Sequence, residues 1–522
     1  MKIIKKGKEF DIKDQGETSP EKLRTWKVLL FLLVMAFSLR LFLILQPEVI
    51  HNDGIAYVYQ AQHILSGGNW AGGNAPPLYP LWIALFHFII PNEEMAGIWV
   101  SVIFGTLLIL PVFFLGKEIF NKSVGLIAAV FAVVHPLLYT ASGSVLSESI
   151  YYFFMTTAVL FGWKTFRQGR FFQTILFALF TTLAYLTRPE GIGLIIIFAF
   201  WVLFISPPRQ QRHWTRRMGI FFLAIFSFIV FSFPYLVQLK KETGRWGISG
   251  KLSISMGSLS EEEKVPSIDE IRKNREFPLL SLVNDPLTTI KKIVLGFFSS
   301  IYKFQQALNP LLFLFVLLAG VWKRSSPYIF KGDFYLLSHF IFFFGLVLPF
   351  FWITRRYTSQ LVPLSLPWAA FGFLGLINWI SPRLKEGKLK ERISILLLSF
   401  ILMGLFVQGR VIHPRSHRFI QREVGLWMKD HLPKGTKVMS SMPQEAFYAE
   451  LPWVRMPQGS YEEIVETGRS NGVQYLVIDE KVEEDSPGFW EKTGQGNLIQ
   501  LLDYKRENRR MVVFQIDYPQ GK

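Results

Sequence analysis

The sequence predicts a polytopic α-helical membrane protein of about eleven spanning helices, followed by a small α/β domain. Three observations carry this. Half of the 522 residues are hydrophobic and 16% are aromatic, which is more apolar surface than one soluble core uses. Long apolar runs such as Val28–Leu45, Gly219–Val237 and Phe340–Trp352 recur between short polar breaks. Beyond about Val411 the composition changes to alternating amphipathic and strand-like stretches.

Taken in order, residues 1–25 form a basic, polar N-terminus, and the first apolar run that follows lacks a small-residue cleavage site, so it reads as a retained helix. The predicted spans are 26–46, 96–115, 123–140, 147–163, 171–187, 190–206, 218–239, 308–322, 333–353, 358–380 and 392–410. The run Leu78–Ile90 is too short to cross ~30 Å of hydrocarbon at 1.5 Å per residue and reads as an interfacial or re-entrant helix.

The formal net charge of +17 is explained by topology rather than by nucleic acid. With a cytoplasmic N-terminus, every short inner loop carries Lys or Arg: Lys117 and Lys122, then Lys164, Arg167 and Arg170, then Arg209 to Arg217, Lys323 to Lys331, and Arg383 to Arg392. The segments Gln46–Met95 and Tyr139–Glu148 carry none. This pattern predicts a protein of the inner or plasma membrane with a transmembrane region at 26–410, outer loops at 47–95 and 240–307, and an extracytoplasmic domain at 411–522. In that domain Phe419–His431 and Tyr461–Asn471 read as helices, and Lys437–Ser440, Gln474–Ile478 and Arg510–Ile516 as strands. The run Leu287–Phe304 reads as amphipathic.

Chemistry-bearing residues collect on the predicted outer face. Asn52 or Asp53 can cap a helix running to about Ser66, which would put Asp53, Tyr57 and Gln60 on one face. Asp53 is then either an N-cap or a carboxylate poised to accept a proton. Glu148, at the mouth of the fourth span, has no basic neighbour in sequence and must cap, pair or bind. Arg188, in Thr187-Arg188-Pro189-Glu190-Gly191, and Arg356, before Tyr357, run against the charge trend. They read either as structural partners of Glu190 and Glu148 or as guanidinium groups gripping a phosphate. Arg40, inside the first span, either snorkels outward or joins them.

There is no cysteine, Walker loop or dinucleotide fingerprint, and the nine His residues show no metal-ligand spacing. No cofactor is implied with certainty; a divalent cation shared by Asp53 and Glu148 is left open. The order of the acidic segment around Asp53, Pro76-Pro77-Leu78-Tyr79, Ser147-Glu148, Thr187 to Gly191, Arg356-Tyr357 and the tail stretches Leu426–Ser440 and Gly472–Glu480 resembles the C-type glycosyltransferase superfamily. The resemblance is strongest to glycosyltransferase family 39, the group of protein O-mannosyltransferases and of aminoarabinose transferases that modify lipid A. It implies a sugar donor carried on polyprenyl phosphate and a lipid, glycan or protein hydroxyl as acceptor. It also implies Asp53 as general base of an inverting transfer, with Tyr57, Glu148, Arg188, Arg356 and Tyr357 binding substrate and phosphate. Two positions depart from those groups: Ala75 stands where some lipid A-modifying relatives have Lys, and Gly54 follows Asp53 where O-mannosyltransferases commonly have a second acid.

The competing reading is a transporter or flippase of lipid-linked or small polar substrates. It predicts two similar halves with broken helices and charge at the midplane, and the sequence shows neither. A sensor or assembly role for the tail is a third reading, which deletion beyond Val411 would separate from the first.

Overall fold

The computed structural model describes residues 19–45, 49–71, 76–205, 214–244, 246–249, 286–324, 326–348, 353–380, 387–411, 418–480, 482, 486, 488–493 and 498–518. The basic residues before Ser19, Ala75 and most of the predicted outer segment 240–307 lie outside this set. The chain forms two compact units, one of Met1–Ile44 with Gln60–Arg410 and one of Leu45–Tyr59 with Val411–Lys522.

The described part of the first unit is helical. In chain order it holds α1 (Ser19–Ile44), α2 (Asn52–Leu65, whose first residues belong to the second unit), α3 (Leu78–His87), α4 (Glu93–Leu107), α5 (Ile109–Ile119), α6 (Lys122–Val134) and α7 (Pro136–Ala141). There follow α8 (Glu148–Gln168), α9 (Phe171–Thr187), α10 (Gly193–Phe204), α11 (Trp214–Thr243), α12 (Pro286–Leu308), α13 (Pro310–Val321), α14 (Pro327–Phe342), α15 (Val362–Ile380) and α16 (Gly387–Val411). Within the described residues each of the eleven predicted spans falls on one or two helices, and the run Leu78–Ile90 contains the ten-residue α3.

The chain is a multi-pass membrane protein. Among the described residues, six helical stretches are long and apolar enough to cross a bilayer alone: Ser19–Ile44, Glu93–Ile119, Trp214–Glu242, Pro327–Val347, Arg355–Ile380 and Glu391–Gly409. The other predicted spans fall on shorter helices or, for α8, on a helix carrying Glu148, Lys164 and Arg167. The span predicted at 123–140 is α6, only 13 residues long, because His135-Pro136 ends it and starts α7. The span predicted at 308–322 is α13, bent by 113° from the preceding helix. Asn309 takes a left-handed φ of 79°, which Asn tolerates, and its side chain caps Leu311 N–H at 2.7 Å ahead of Pro310. Glycines let helices approach closely, as is usual in membranes. A Cβ on Gly372 of α15 would lie 1.9 Å from the Phe315 carbonyl of α13, and one on Gly116 of α5 would lie 2.9 Å from Gly125 of α6.

Two sequence expectations change here. Asn52 is the first residue of α2 rather than a cap before it. Arg40 is fully buried and neither snorkels nor pairs with Glu148. Its Nε donates to Ser142 Oγ at 3.2 Å and its Nη atoms to the carbonyls of Ala36, Val133 and Ala132 at 3.2, 3.4 and 3.5 Å. Two of these carbonyls belong to the last turn of α6, where the helix dipole favours a cation.

The second unit is an α/β sandwich. Its helices are α17 (Phe419–His431), α18 (Gln444–Ala449), α19 (Tyr461–Asn471) and α20 (Phe489–Thr493). Its strands are β1 (Val438–Ser440), β2 (Trp453–Arg455), β3 (Tyr475–Asp479), β4 (Leu498–Arg506) and β5 (Arg509–Ile516), in sheet order β2-β1-β3-β5-β4. β1, β2 and β3 run parallel, and β5 pairs antiparallel with β3 and β4. Val438, Tyr475, Val477, Met511 and Val513 pack with Ile420, Val424 and Met428 of α17 and Ala446 of α18. The alternate residues Met439, Leu476, Ile478, Val512 and Phe514 pack on the opposite face with Ile464 of α19. Burial on both faces makes β3 and β5 continuous apolar runs in the sequence.

Candidate active site

In the first unit the structure brings together Glu148, Arg188, Arg356 and Tyr357. Pro189 cannot continue α9, so Arg188 leaves the helix extended, at φ −148° and ψ 131°, and a 3₁₀ turn of Pro189–Ile192 follows. Gly191 is required in that turn, since a Cβ there would lie 2.5 Å from Tyr185 N. Glu148 opens α8, where the helix N-terminus favours an anion, and is 2% exposed. Thr354 caps the short turn Arg355–Thr358 through Tyr357 N–H, at 3.4 Å, which sets Arg356 and Tyr357.

One carboxylate oxygen organises the cluster. Arg188 Nη1 donates to Glu148 Oε1 at 3.1 Å, and Arg356 Nε donates to the same oxygen. Arg188 Nη2 also reaches Glu190 Oε1 at 3.2 Å, and its guanidinium lies 5.7 Å from the Tyr151 ring centroid and 5.4 Å from that of Tyr357. Both structural pairings considered from the sequence are therefore present. The two arginines differ in access: the Arg188 side chain is 11% exposed and that of Arg356 is 35% exposed. Two acids and two guanidinium groups leave the cluster formally neutral, with Arg356 as its outward-reaching cation. Tyr151 and Tyr152 were not singled out in the sequence. Tyr151 donates to Gln360 Oε1 at 3.0 Å and Tyr152 is bonded to Ser359; their place three and four residues after Glu148 was the available signal.

Asp53 and Tyr57 lie in the second unit, with the tail. Asp53 is half-buried and Tyr57 is 3% exposed. Gln60 is buried on the same helix, seven residues from Asp53 and three from Tyr57 as the helical face requires. The turn that delivers Asp53 is tied to α18. Ile50 N–H donates to Tyr448 Oη at 2.9 Å, and Gln444 Nε2 donates to Ile50 O at 3.2 Å and to Asn52 Oδ1.

Beside Gln444 the unit carries a crevice of about 130 Å³ at the C-terminal ends of β1 and β3, lined by Arg418, Gln421, Met442, Asp479, Glu480 and Arg509. Burial raises the Glu480 carboxyl, but Arg509 and its hydrogen bonds outweigh this and leave it lowered. Glu445, next to Gln444, is 1% exposed, and burial pushes its carboxyl up to about 8. Among the described residues no three His, Cys, Asp or Glu side chains converge as a cation site.

Residues 74–236 match the family model described as dolichyl-phosphate-mannose-protein mannosyltransferase. The match includes Glu148 and Arg188 but stops short of Asp53 and Arg356. No curated protein matches the chain. Among solved structures, ArnT from Cupriavidus metallidurans in the apo state is similar at TM-score 0.56 and 13% identity, covering 96% of this chain and 100% of that one. The same protein bound to undecaprenyl phosphate gives TM-score 0.55 and 12% identity, covering 97% and 100%. The oligosaccharyltransferase AglB from Archaeoglobus fulgidus, in complex with an inhibitory peptide and a dolichol-phosphate, gives TM-score 0.53 and 13% identity, covering 89% and 70%. At these identities the structural likeness concerns the fold: membrane helices with a small sheet domain at the C-terminal end. The chain is therefore similar over residues 74–236 to the dolichyl-phosphate-mannose-protein mannosyltransferase family, and its fold is like that of ArnT and AglB.

Proposed function

We propose that the protein transfers a sugar from a polyprenyl-phosphate-linked donor to an acceptor hydroxyl on a lipid, glycan or protein at the outer face of the cell membrane. The N-terminus is then cytoplasmic and residues 411–522 are extracytoplasmic, a reading supported by the Lys and Arg distribution. The observation that carries the reading is the buried Glu148 carboxylate, which orients Arg188 and the more accessible Arg356. A leaving phosphate needs such a held cation, and ArnT and AglB have been solved with polyprenyl phosphates bound.

In the transfer, Asp53 accepts the proton of the acceptor hydroxyl as its oxygen attacks the anomeric carbon. The bond from that carbon to the phosphate oxygen breaks, and the electron pair leaves with the polyprenyl phosphate. Arg356 meets the developing charge, while Glu148, Arg188 and Tyr357 hold Arg356 in place. Attack from the face opposite the leaving group inverts the anomeric centre. The test is Asp53→Asn in proteoliposomes supplied in turn with undecaprenyl-phosphate-linked mannose, glucose and 4-amino-arabinose, with membrane extract as acceptor. Loss of transfer by ~10²–10⁴-fold is expected for removal of a general base; unchanged transfer removes Asp53 from that role.

A further inference from the structure

The turn before Asp53 ends at the tail, and its polar groups show how. Ile50 lies three residues before Asp53, and both of its backbone hydrogen-bonding groups go to α18: its N–H to Tyr448 Oη at 2.9 Å, its carbonyl to Gln444 Nε2 at 3.2 Å. The second hydrogen of Gln444 Nε2 goes to Asn52 Oδ1, the side chain adjoining Asp53, and Asn52 Nδ2 lies 3.7 Å from Met442 Sδ. Gln444 therefore spends both amide hydrogens on two acceptors of one turn. The two contacts to Ile50 are buried, with Val49, Ile50 and Ile55 at 1%, 4% and 3% exposure, Gln444 at 1% and Tyr448 at 7%, whereas Asn52 and Met442 lie at the surface. Downstream, the Tyr59 and Phe447 rings pack edge to face at 5.9 Å.

The physical consequence concerns where α2 begins. The first N–H groups of a helix have no partner within it, so an untethered first turn frays. Asp53 is the second residue of α2, and fraying would swing its carboxylate. Gln444 and Tyr448 are four residues apart and so share one face of α18, while Ala446 and Ala449 bury the other face in the tail's core. We infer that Gln444 and Tyr448 are positioning residues that preset Asp53, so that the tail is part of the catalytic apparatus rather than an accessory. This rests on Asp53 acting as the base.

Two measurements on the full-length protein in nanodiscs test it. The first is hydrogen exchange of Gln444→Ala and Tyr448→Phe. Peptides covering residues 49–59 should exchange tenfold or more faster than in the wild type, with β3 and β5 unchanged; unchanged exchange at 49–59 overturns the inference whatever the sugar. The second is the pH profile of Gln444→Glu with the three lipid-linked sugars named above, taken as a ratio to wild type. An ionised glutamate offers only acceptors to two acceptors, whereas a protonated one regains a donor. The ratio should therefore be tenfold or more below one at alkaline pH and recover as pH falls. Asp479, Glu480, Arg418 and Arg509 face position 444, and Glu445 adjoins it, in both proteins, so the ratio reads what the substitution adds to a shared background. A ratio flat in pH overturns the inference. Asp53→Asn separates the two failures: if it transfers normally, the base assignment fails and the exchange result stands alone; if it is inactive while Gln444→Glu tracks wild type, the positioning role fails.

Discussion

Glu445→Gln should stabilise the tail unit by an amount that grows with pH. The Glu445 carboxyl is raised from 4.5 to about 8, first by burial and further by the charge of Asp479, against hydrogen bonds from its own N–H, Gln421 and Ser440. Because the folded value lies above the unfolded one, the native state holds this proton more tightly than the unfolded chain does. Below pH 4.5 both states are protonated and nothing is lost. Between about 4.5 and 8 the unfolded chain ionises while the native state does not, and stability falls by roughly 1.36 kcal/mol per pH unit. Over that interval the loss reaches about 5 kcal/mol, and beyond pH 8 it stays constant. A neutral glutamine of the same shape escapes it. The assay is pulse proteolysis or hydrogen exchange of Leu476–Ile478 in the full-length protein from pH 5 to 9. The stability difference between variant and wild type should rise from below about 1 kcal/mol at pH 5 to several kcal/mol at pH 8.5. A difference that is constant across the range would refute the burial argument.

Other outcomes follow from the same geometry. Arg356→Ala should weaken binding of undecaprenyl phosphate by roughly 10–100-fold, the worth of one charged hydrogen bond, and Arg356→Lys should restore only part of it; equilibrium binding in nanodiscs measures both. Gly372→Ala, which drives a methyl into the Phe315 carbonyl, should lower stability by about 1–3 kcal/mol, whereas Gly320→Ala, with nothing within 4 Å, should leave it unchanged or slightly raised; thermal unfolding in detergent distinguishes them. Since the natural chain has no cysteine, single cysteines report sidedness cleanly. An impermeant maleimide should label Lys434→Cys in intact cells and Arg170→Cys only after permeabilisation.

Much of the fold was legible because hydrophobicity dominates it. Every predicted span lands on a helix, and β1, β3 and β5 were visible as apolar runs. β2 was not, being three residues long, and neither was β4, an edge strand whose mixed sequence LIQLLDYKR is largely exposed and bulged between Gln500 and Leu502. Arg188 and Arg356 stood out because their charges opposed the surrounding trend, and Glu148 because it had no basic neighbour in sequence; the structure joins them across 40 and 208 residues. The placement of Arg40 departs from expectation because three of its four acceptors are carbonyls, and backbone acceptors leave no trace in a sequence. The hold of Gln444 and Tyr448 on the Asp53 turn was illegible for a similar reason. An amide and a phenol on an amphipathic helix look like ordinary polar residues until the partner segment is known.

That hold spans 394 residues between Ile50 and Gln444, and distance along the chain is also time on the ribosome. At roughly 5–20 residues per second, about 20–80 s separate synthesis of the Asp53 turn from synthesis of the groups that fix it. The helices emerge first, and the Asp53 turn receives these partners hundreds of residues later. A chain that stalls or is cut before residue 444 therefore enters the membrane with its scaffold made and that turn unfixed.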